Sequence, residues 1–459
     1  MSIISRGTQR GLARGLGLLV LGAAVLALAG CAAPTSTLRP VLVTVYLTGT
    51  PVPARAATPT AIGIATQVTP APAASVATTP NVQTSATAPA VYGPNSYPNG
   101  VNPLTGEVVD PALVNRMPIA IKISNYPYNV RPQSGLSMAD LVFEHPAEAG
   151  LTRFTGVFLQ NDVAKIGSIR SARFIDNELA PMFGALLVTS GSSIGTMTHL
   201  RSSPWFQGDN VWRLVSEETN YVCPPLCRDN PNDFNSLFAS TKDLRAATSA
   251  KAGPQARSHS AFVFSEALPP GGVEATDISV DFSSAAHVDW RYVATSKLYT
   301  RWQEKDSSGE LAAHIDALTN QPITDRNVVV LFVSQVNNFV PEDFLDGGNC
   351  GLEIQLWSIG PAKVFRDGKL YAGRWRRDDS TGFKLRLEFD DGSNLALAPG
   401  NTWFEMVALN AIPTLNGAAY HVMNKVVDTK SECPVPPTAT PTETPIGYVA
   451  PTATPTPTP

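Results

Sequence analysis

Four arginines, Arg131, Arg153, Arg170 and Arg173, fall within a short span of the first half of the chain. They sit in the runs Arg131-Pro132-Gln133-Ser134-Gly135, Gly150-Leu151-Thr152-Arg153-Phe154 and Ile166-Gly167-Ser168-Ile169-Arg170-Ser171-Ala172-Arg173. A guanidinium is a planar fork of N–H donors, so several that converge suit an oxyanion such as phosphate or carboxylate. Gln133, Ser134 and Ser171 add polar donors beside them. Ser168 and Ser171 precede or open a segment, Arg173 to Phe183, that reads as helix; a serine-capped helix start would favour the same anion. Ser190-Gly191-Ser192-Ser193 follows a strand-like run, which is where α/β sheets place binding loops, so Ser190, Gly191 and Ser192 join the candidate ligand-binding set. The competing reading pairs the arginines with Asp140, Glu144, Asp176 and Glu178 as internal salt bridges.

Catalytic candidates are fewer. Ser192 as a nucleophile needs a positioned base, and the sequence offers His199 or His259. The surroundings of Ser192 are not a Gly-x-Ser-x-Gly elbow. Asp140 and Glu144 are four apart on a strand-like run and point to one face, as a carboxylate pair would. No His-x-x-x-His spacing, phosphate-binding loop or dinucleotide fingerprint occurs, so no metal and no cofactor is expected. His145, His287 and His314 are scattered among β-type segments. Trp290, Tyr292, Tyr299, Trp302, Trp357, Trp375 and Trp403 give an aromatic-rich second half, readable as core or as a sugar-stacking face.

The N-terminus bears on location. Arg6, Arg10 and Arg14 precede an apolar run from Leu16 to Ala29, which ends in Leu28-Ala29-Gly30-Cys31. That is a lipoprotein signal peptide with its lipobox. Small residues fit the peptidase pocket, and the Cys31 thiol accepts diacylglycerol. The expectation is a fatty-acylated (palmitate-type) anchor at the extracytoplasmic face of the cell membrane. The formal charge of −4 becomes −7 once the three arginines of the signal are removed. This acidity argues against nucleic acid as a partner and leaves an envelope polymer or protein as the expected one. Of the five cysteines, four remain for pairing outside the cell. Cys223 with Cys227 and Cys350 with Cys433 is the favoured arrangement over a metal site.

Composition divides the chain. Residues 1–30 are signal. Residues 31–100 are rich in Ala, Thr and Pro and read as a disordered, lipid-anchored linker. Val41 to Leu47 alternates like a strand but is left in the linker. Residues 434–459 repeat Thr and Pro as a disordered tail, with or without glycosylation. Between them, 101–270 mixes strands (Pro118 to Ser124, Ala139 to Glu144, Thr155 to Leu159, Ala185 to Thr189) with a helix. Leu268-Pro269-Pro270-Gly271-Gly272 marks a break. Residues 271–433 read as a mainly antiparallel β domain with hairpins at Asp367-Gly368 and Asp391-Gly392. Asn327 to Val333 is a core strand. The fold class expected is α+β, a mixed N-terminal domain followed by a β-rich one.

Several motifs resemble one family. These are Asn-Pro-Leu-Thr-Gly at 102–106, Arg-Pro-Gln-Ser-Gly-Leu-Ser-Met-Ala-Asp at 131–140, Gly-Leu-Thr-Arg-Phe at 150–154 and the 166–173 run. With Arg257-Ser258-His259, Asp316, Asn327-Val328-Val329-Val330 and Pro399-Gly400-Asn401-Thr402-Trp403, they are similar to the YerB-like bacterial lipoproteins, a two-part domain of unknown function. The resemblance implies an extracytoplasmic anchor and a separate β-rich C-terminal part; it implies no reaction. Relatives carry a His-Ala-Gly-Gly-Ser-like turn where this chain has Ser190-Gly191-Ser192-Ser193, and Pro-His-Asn where it has Ser258-His259-Ser260. Three readings stay open: a binding or accessory module, an envelope hydrolase, and a structural or assembly protein.

Overall fold

The computed structural model describes residues 90–219, 223–252, 260–343, 348–431 and 433–434. Cys31 and its lipobox, the 41–47 run, His259 and nearly all of the Thr/Pro tail lie outside these residues.

The first half supplies β1 (Ile119–Ser124), β2 (Leu141–Pro146), β3 (Thr152–Phe158), α1 (Asp176–Phe183), β4 (Leu186–Thr189), α2 (Ile194–Ser202), β5 (Leu214–Ser216) and α3 (Thr241–Ala252). The second half supplies β6 (Asp277–Ser283), β7 (Ala286–Val293), β8 (Leu298–Glu304), β9 (Leu311–Ala313), β10 (Asn327–Val333), β11 (Gln335–Asp343), β12 (Asn349–Ile354), β13 (Ser358–Arg366), β14 (Lys369–Arg377), β15 (Thr402–Ala408), β16 (Ile412–Asn416) and β17 (Ala419–Met423). The α+β class holds, with the second half built of strands.

Both halves enter one main sheet of 11 strands. Its centre runs β14-β13-β10-β15-β2-β3-β1-β4-β5, with Val273–Glu274 beyond β14 and Arg386–Glu388 beside it. The 268–272 break is a turn outside helix and strand, and strands from either side of it meet where β15 pairs parallel with β2. β10 and β15 are buried at every position. That is what a strand covered on both faces requires, and it explains the unbroken apolar run Val328 to Val333.

Alternate residues feed two cores. Ile119, Ile121, Ile123, Val142, Phe154, Val328, Val330 and Trp403 face a second sheet of seven strands, ordered β9-β8-β7-β6-β17-β16 with Thr324–Asp325 beside β8. Ala120, Leu141, Phe143, Val157, Val329, Leu331 and Phe404 face α1 and α2. Trp290, Tyr299, Trp375 and Trp403 are core residues, whereas Trp357 is exposed.

Several local expectations change. The helix starts at Asp176, and neither Ser168 nor Ser171 caps it. Its N-cap position is Ile175, and the Asp176 carboxylate takes the Arg173 N–H at 2.7 Å instead. That bond fixes the approach to the helix and leaves its first turn without a side-chain cap, while Asp176 and Glu178 place negative charge at its positive end. At Asp367-Gly368 both residues have positive φ, 53° and 70°, and join β13 to β14 as a tight hairpin. At Asp391-Gly392 only Gly392 does, and the return is a single bridge from Glu388 to Asn394. There Phe389 N bonds Ser393 O at 2.8 Å and Leu395 N bonds Leu387 O at 3.1 Å, so the hairpin forms but is short, and the Asp391 side chain takes the Ser393 N–H at 2.8 Å. The disulfides are Cys223–Cys227 and Cys350–Cys433.

Candidate functional site

β1 reads Ile-Ala-Ile-Lys-Ile-Ser, and period two places Lys122 and Ser124 on the helix side of the main sheet. Lys122 is fully buried. Its ammonium donates to Asp176 Oδ1 at 2.6 Å, Thr155 Oγ1 at 2.8 Å and His145 Nε2 at 2.8 Å, which uses all three N–H bonds. Burial pulls its pKa down to about 8, against the pull of Asp176. His145 donates its Nδ1 proton to the Pro146 carbonyl, so Nε2 is the acceptor. Burial and Lys122 drive the ring well below the usual imidazole range, and it is neutral.

Arg173 lies beside this group. Its guanidinium forms two parallel bonds of 2.7 Å to Glu148, and Nη1 lies 3.2 Å from Glu342. Glu342 comes from β11 in the second half and also accepts from Thr196 at 2.6 Å and Ser193 at 3.0 Å. These ties anchor the start of α2, where Ser193 caps the helix through the Thr196 N–H.

Arg170 differs. Its peptide N–H bonds Lys122 O on β1 and its carbonyl accepts from Ser190 N at 3.1 Å, while Ala172 N bonds Gly191 O at 2.8 Å. The 170–173 segment and the Ser190–Ser193 turn are therefore held together. Gly191 has φ 136°, and a Cβ there would sit 2.3 Å from Glu218 Oε1, so only glycine brings the turn this close. The Arg170 side chain is half-buried, bonds Ser124 Oγ at 3.4 Å and forms no ion pair among the described residues. Burial lowers its pKa, as do the neighbouring charges of Arg173 and Arg228; Asp233 acts in the opposite sense. Arg153 is the register partner of Ser124 and bonds the Thr152 carbonyl at 2.9 Å. Ser168 Oγ is buried with no hydrogen-bond partner among the described residues. Ser171, Ser190 and Ser192 are half-buried around this cluster.

Arg131 does not join the other three. It lies on the opposite side of the sheet, where Nε donates to Asn125 O and Oδ1 at 3.1 Å and Nη1 to the Glu304 carbonyl, 3.5 Å from the Glu304 carboxylate. The reason is the alternation of β1: Ser124 and the next residue, Asn125, turn to opposite faces. Gln133 belongs with Arg131, donating to Ser124 O at 3.0 Å and accepting from His314 at 2.6 Å. Ser134 donates to the Lys165 carbonyl at 2.8 Å.

Two of the catalytic arrangements weighed from sequence, Ser192 with His199 and Asp140 with Glu144, are not assembled; Ser192 with His259 lies outside the described residues. Ser192 Oγ donates to Ser193 O at 3.0 Å. His199 stacks on Phe174 with ring centroids 4.2 Å apart and meets Asn177, so it does not serve as a base for Ser192. Asp140 precedes β2 and accepts from Asn102 Nδ2 at 2.5 Å and Leu159 N at 2.7 Å. Burial raises its pKa to about 6. Glu144 is held by Arg301 at 2.5 Å and Thr152 at 2.8 Å. Four residues of extended strand place Asp140 and Glu144 about 13 Å apart, too far to act on one bond.

The carboxyl pair that does form is Glu144 with Glu405, register partners on β2 and β15. Burial and the charge of Glu144 hold Glu405 far above the usual carboxyl range, so it keeps its proton. Trp290 Nε1 donates to it at 2.7 Å. No local motif announces this pair, because its members are 261 residues apart. The single charge of Lys122 inside an apolar strand was a visible signal for the helix-side cluster. Asp281, His287, Asp289 and His421 also meet on the outer face of the second sheet. Even so, among the described residues no three His, Cys, Asp or Glu side chains are arranged to hold a metal ion.

A two-sheet α+β fold with charged clusters on both faces of its main sheet defines a class known by its architecture and not by a reaction. Residues 104–254 match the N-terminal domain and residues 278–404 the C-terminal domain of the "Protein of unknown function (DUF3048)" family, and the chain belongs to that family. It is 27% identical over 327 residues to "Putative lipoprotein YerB" of Bacillus subtilis (strain 168), covering 69% of this chain and 87% of that protein. A crystal structure of the YerB protein from Bacillus subtilis superposes with a TM-score of 0.52 at 26% identity, covering 66% of this chain and 95% of that one.

Proposed function

We propose that this protein is a lipid-anchored accessory protein of the cell envelope that binds an anionic ligand at Arg170. Cys31 carries the lipid at the extracytoplasmic face, and residues 31–89 hold the fold away from the membrane; the end of the expected 31–100 linker belongs instead to the fold, because Val91–Tyr92 pairs with Phe264–Ser265 and Tyr97 donates to the Phe262 carbonyl at 2.7 Å. The name of the YerB relative supports the anchor.

One observation carries the ligand. Arg170 is a half-buried guanidinium with two cationic neighbours, a more distant Asp233 and no ion-paired carboxylate among the described residues, beside the serines of the 190–193 turn. A buried cation without a counter-ion is costly, and an oxyanion would complete the cluster as Glu148 completes Arg173. An envelope polymer with phosphate or carboxylate groups is the ligand class. The observation that Ser192 donates to Ser193 O while His199 stacks on Phe174 supports binding over hydrolysis by that pair. Calorimetric titration with inorganic polyphosphate tests this. Saturable binding that weakens at least tenfold in Arg170→Ala is expected. Absence of binding, or the same affinity in that variant, removes the reading.

A further inference from the structure

We propose a second binding site, beneath Arg131, for a short peptide that ends in a free carboxylate and small apolar side chains. It is separate from the Arg170 site and does not depend on it.

A cavity of ≈ 240 Å³ opens between the Arg131 loop and the β8–β9 hairpin. That is room for about eight water molecules, enough for one or two small residues. Pro132, Ala312, Ala313 and Ile315 give it an apolar wall, and Arg131 and Lys305 also line it.

The charge at this cavity calls for an anion. Arg131 uses Nε on Asn125 and Nη1 on Glu304, and Nη2 has no partner among the described residues. Lys305 is exposed and forms no ion pair there. Among the described residues Glu304 is the only carboxylate lining the cavity, against two cations. Asp306, the next acid along, turns to Ser308 N at 2.9 Å and does not line it. The floor is neutral: Arg301 Nη1 donates to Gln303 Oε1 at 2.9 Å and to His314 Nδ1 at 2.7 Å, and burial keeps His314 uncharged. A carboxylate entering here meets donors and no opposing charge beyond Glu304.

The backbone specifies a peptide. β9 is an edge strand of the second sheet. Lys305 N bonds Glu310 O at 2.8 Å and His314 N bonds Arg301 O at 2.9 Å, at the two ends of the ladder that pairs Gln303 with Ala312 and Trp302 with Ala313. Antiparallel bonds alternate, so Ala312 bonds inward to β8 while the N–H and C=O of Ala313 point outward. No described residue takes them. An extended peptide can add to that edge while its terminal carboxylate reaches Arg131 Nη2 and Lys305. Main-chain bonds then supply affinity, and the shallow wall selects small side chains.

Titration of the purified chain with acetyl-Ala-Ala-Ala and with its C-terminal amide tests the proposal. The acid is expected to bind at least tenfold more tightly than the amide. Lys305→Glu, at an exposed position, is expected to weaken the acid tenfold or more, and Ala313→Pro, which deletes the outward N–H, to abolish it. Arg170→Ala is expected to leave it unchanged, which separates this site from the anion site. Equal affinity for acid and amide, no binding of either, or full affinity in Lys305→Glu overturns the proposal, the last holding even if Ala313→Pro does not fold.

Discussion

A carboxyl group that keeps its proton inside a protein is close in shape and hydrogen bonding to an amide, and Glu405 is in that state. Glu405→Gln is therefore expected to change stability by less than about 1 kcal/mol. Arg301→Met is the opposite case. Arg301 is buried, lies over Trp403 with its guanidinium carbon 4.7 Å from the ring centroid, and is the ion-pair partner of Glu144. Removing it leaves Glu144 charged and alone, which costs about 3–5 kcal/mol. Urea unfolding of the two variants side by side checks the pair; a large loss in Glu405→Gln would show that its carboxyl is ionised. At this scale, four arginines in one short span were visible in the sequence. Their partners were not, because Glu342 and Glu304 come from the second half.

Among the elements, the turns carry information out of proportion to their length. The Asp367-Gly368 turn sets the register of β13 on β14, the central pairing of the second half. A Cβ on Gly368 would meet the Tyr292 ring at 2.8 Å, in a backbone region that disfavours side chains. Gly368→Ala is expected to lower stability by about 1–3 kcal/mol, read as a shift in thermal unfolding. The hairpin was legible because Asp-Gly between alternating apolar runs has one good local solution. The Asp391-Gly392 hairpin was legible for the same reason, but its shortness was not, because the chain beyond Leu395 leaves the pairing and Leu397 bridges Phe264 instead.

For the molecule as a whole, one sheet holds both halves together. A chain ending at residue 270 would leave the edge of β2 unpaired, Phe143 without its stacking partner Phe404 and Val142 without the second sheet that covers it. It is expected to bind a hydrophobic dye and to lack a cooperative thermal transition; a sharp transition without dye binding would show that the first half folds alone. Stability is also expected to vary with pH in an unusual sense. Asp325 is buried and its pKa is raised to about 8, so from pH 4 to 8 the folded form holds a proton that the unfolded chain has released. His287 is raised to about 9, chiefly by its hydrogen bond to Asp289, and acts in the same direction above pH 6.5. The neutral His145 and His314 act only below pH 6.5, and Lys122 only above 8. Glu405, protonated in the fold, acts in the same direction as Asp325. Between pH 6.5 and 8, stability should fall with rising pH by about 3 kcal/mol, measured by urea unfolding. Asp325→Asn should reduce that slope without removing it.

The chain's periodicities and turn residues were enough to read the strands around Ile121, Val188 and Val330, the α+β class and both disulfide pairings. Each rests on neighbours in sequence or on simple counting: alternation, a Gly that accepts positive φ, an even number of thiols. Which side chains share a site could not be read in that way. Ser124 and Asn125 are adjacent, yet the sheet sends Arg170 to one of its faces and Arg131 to the other. Glu144 and Glu405 are far apart in sequence, yet strand pairing places them side by side in a dry interior where only one can be charged. Proximity across strands is set by the packing of two sheets, and no local pattern encodes it.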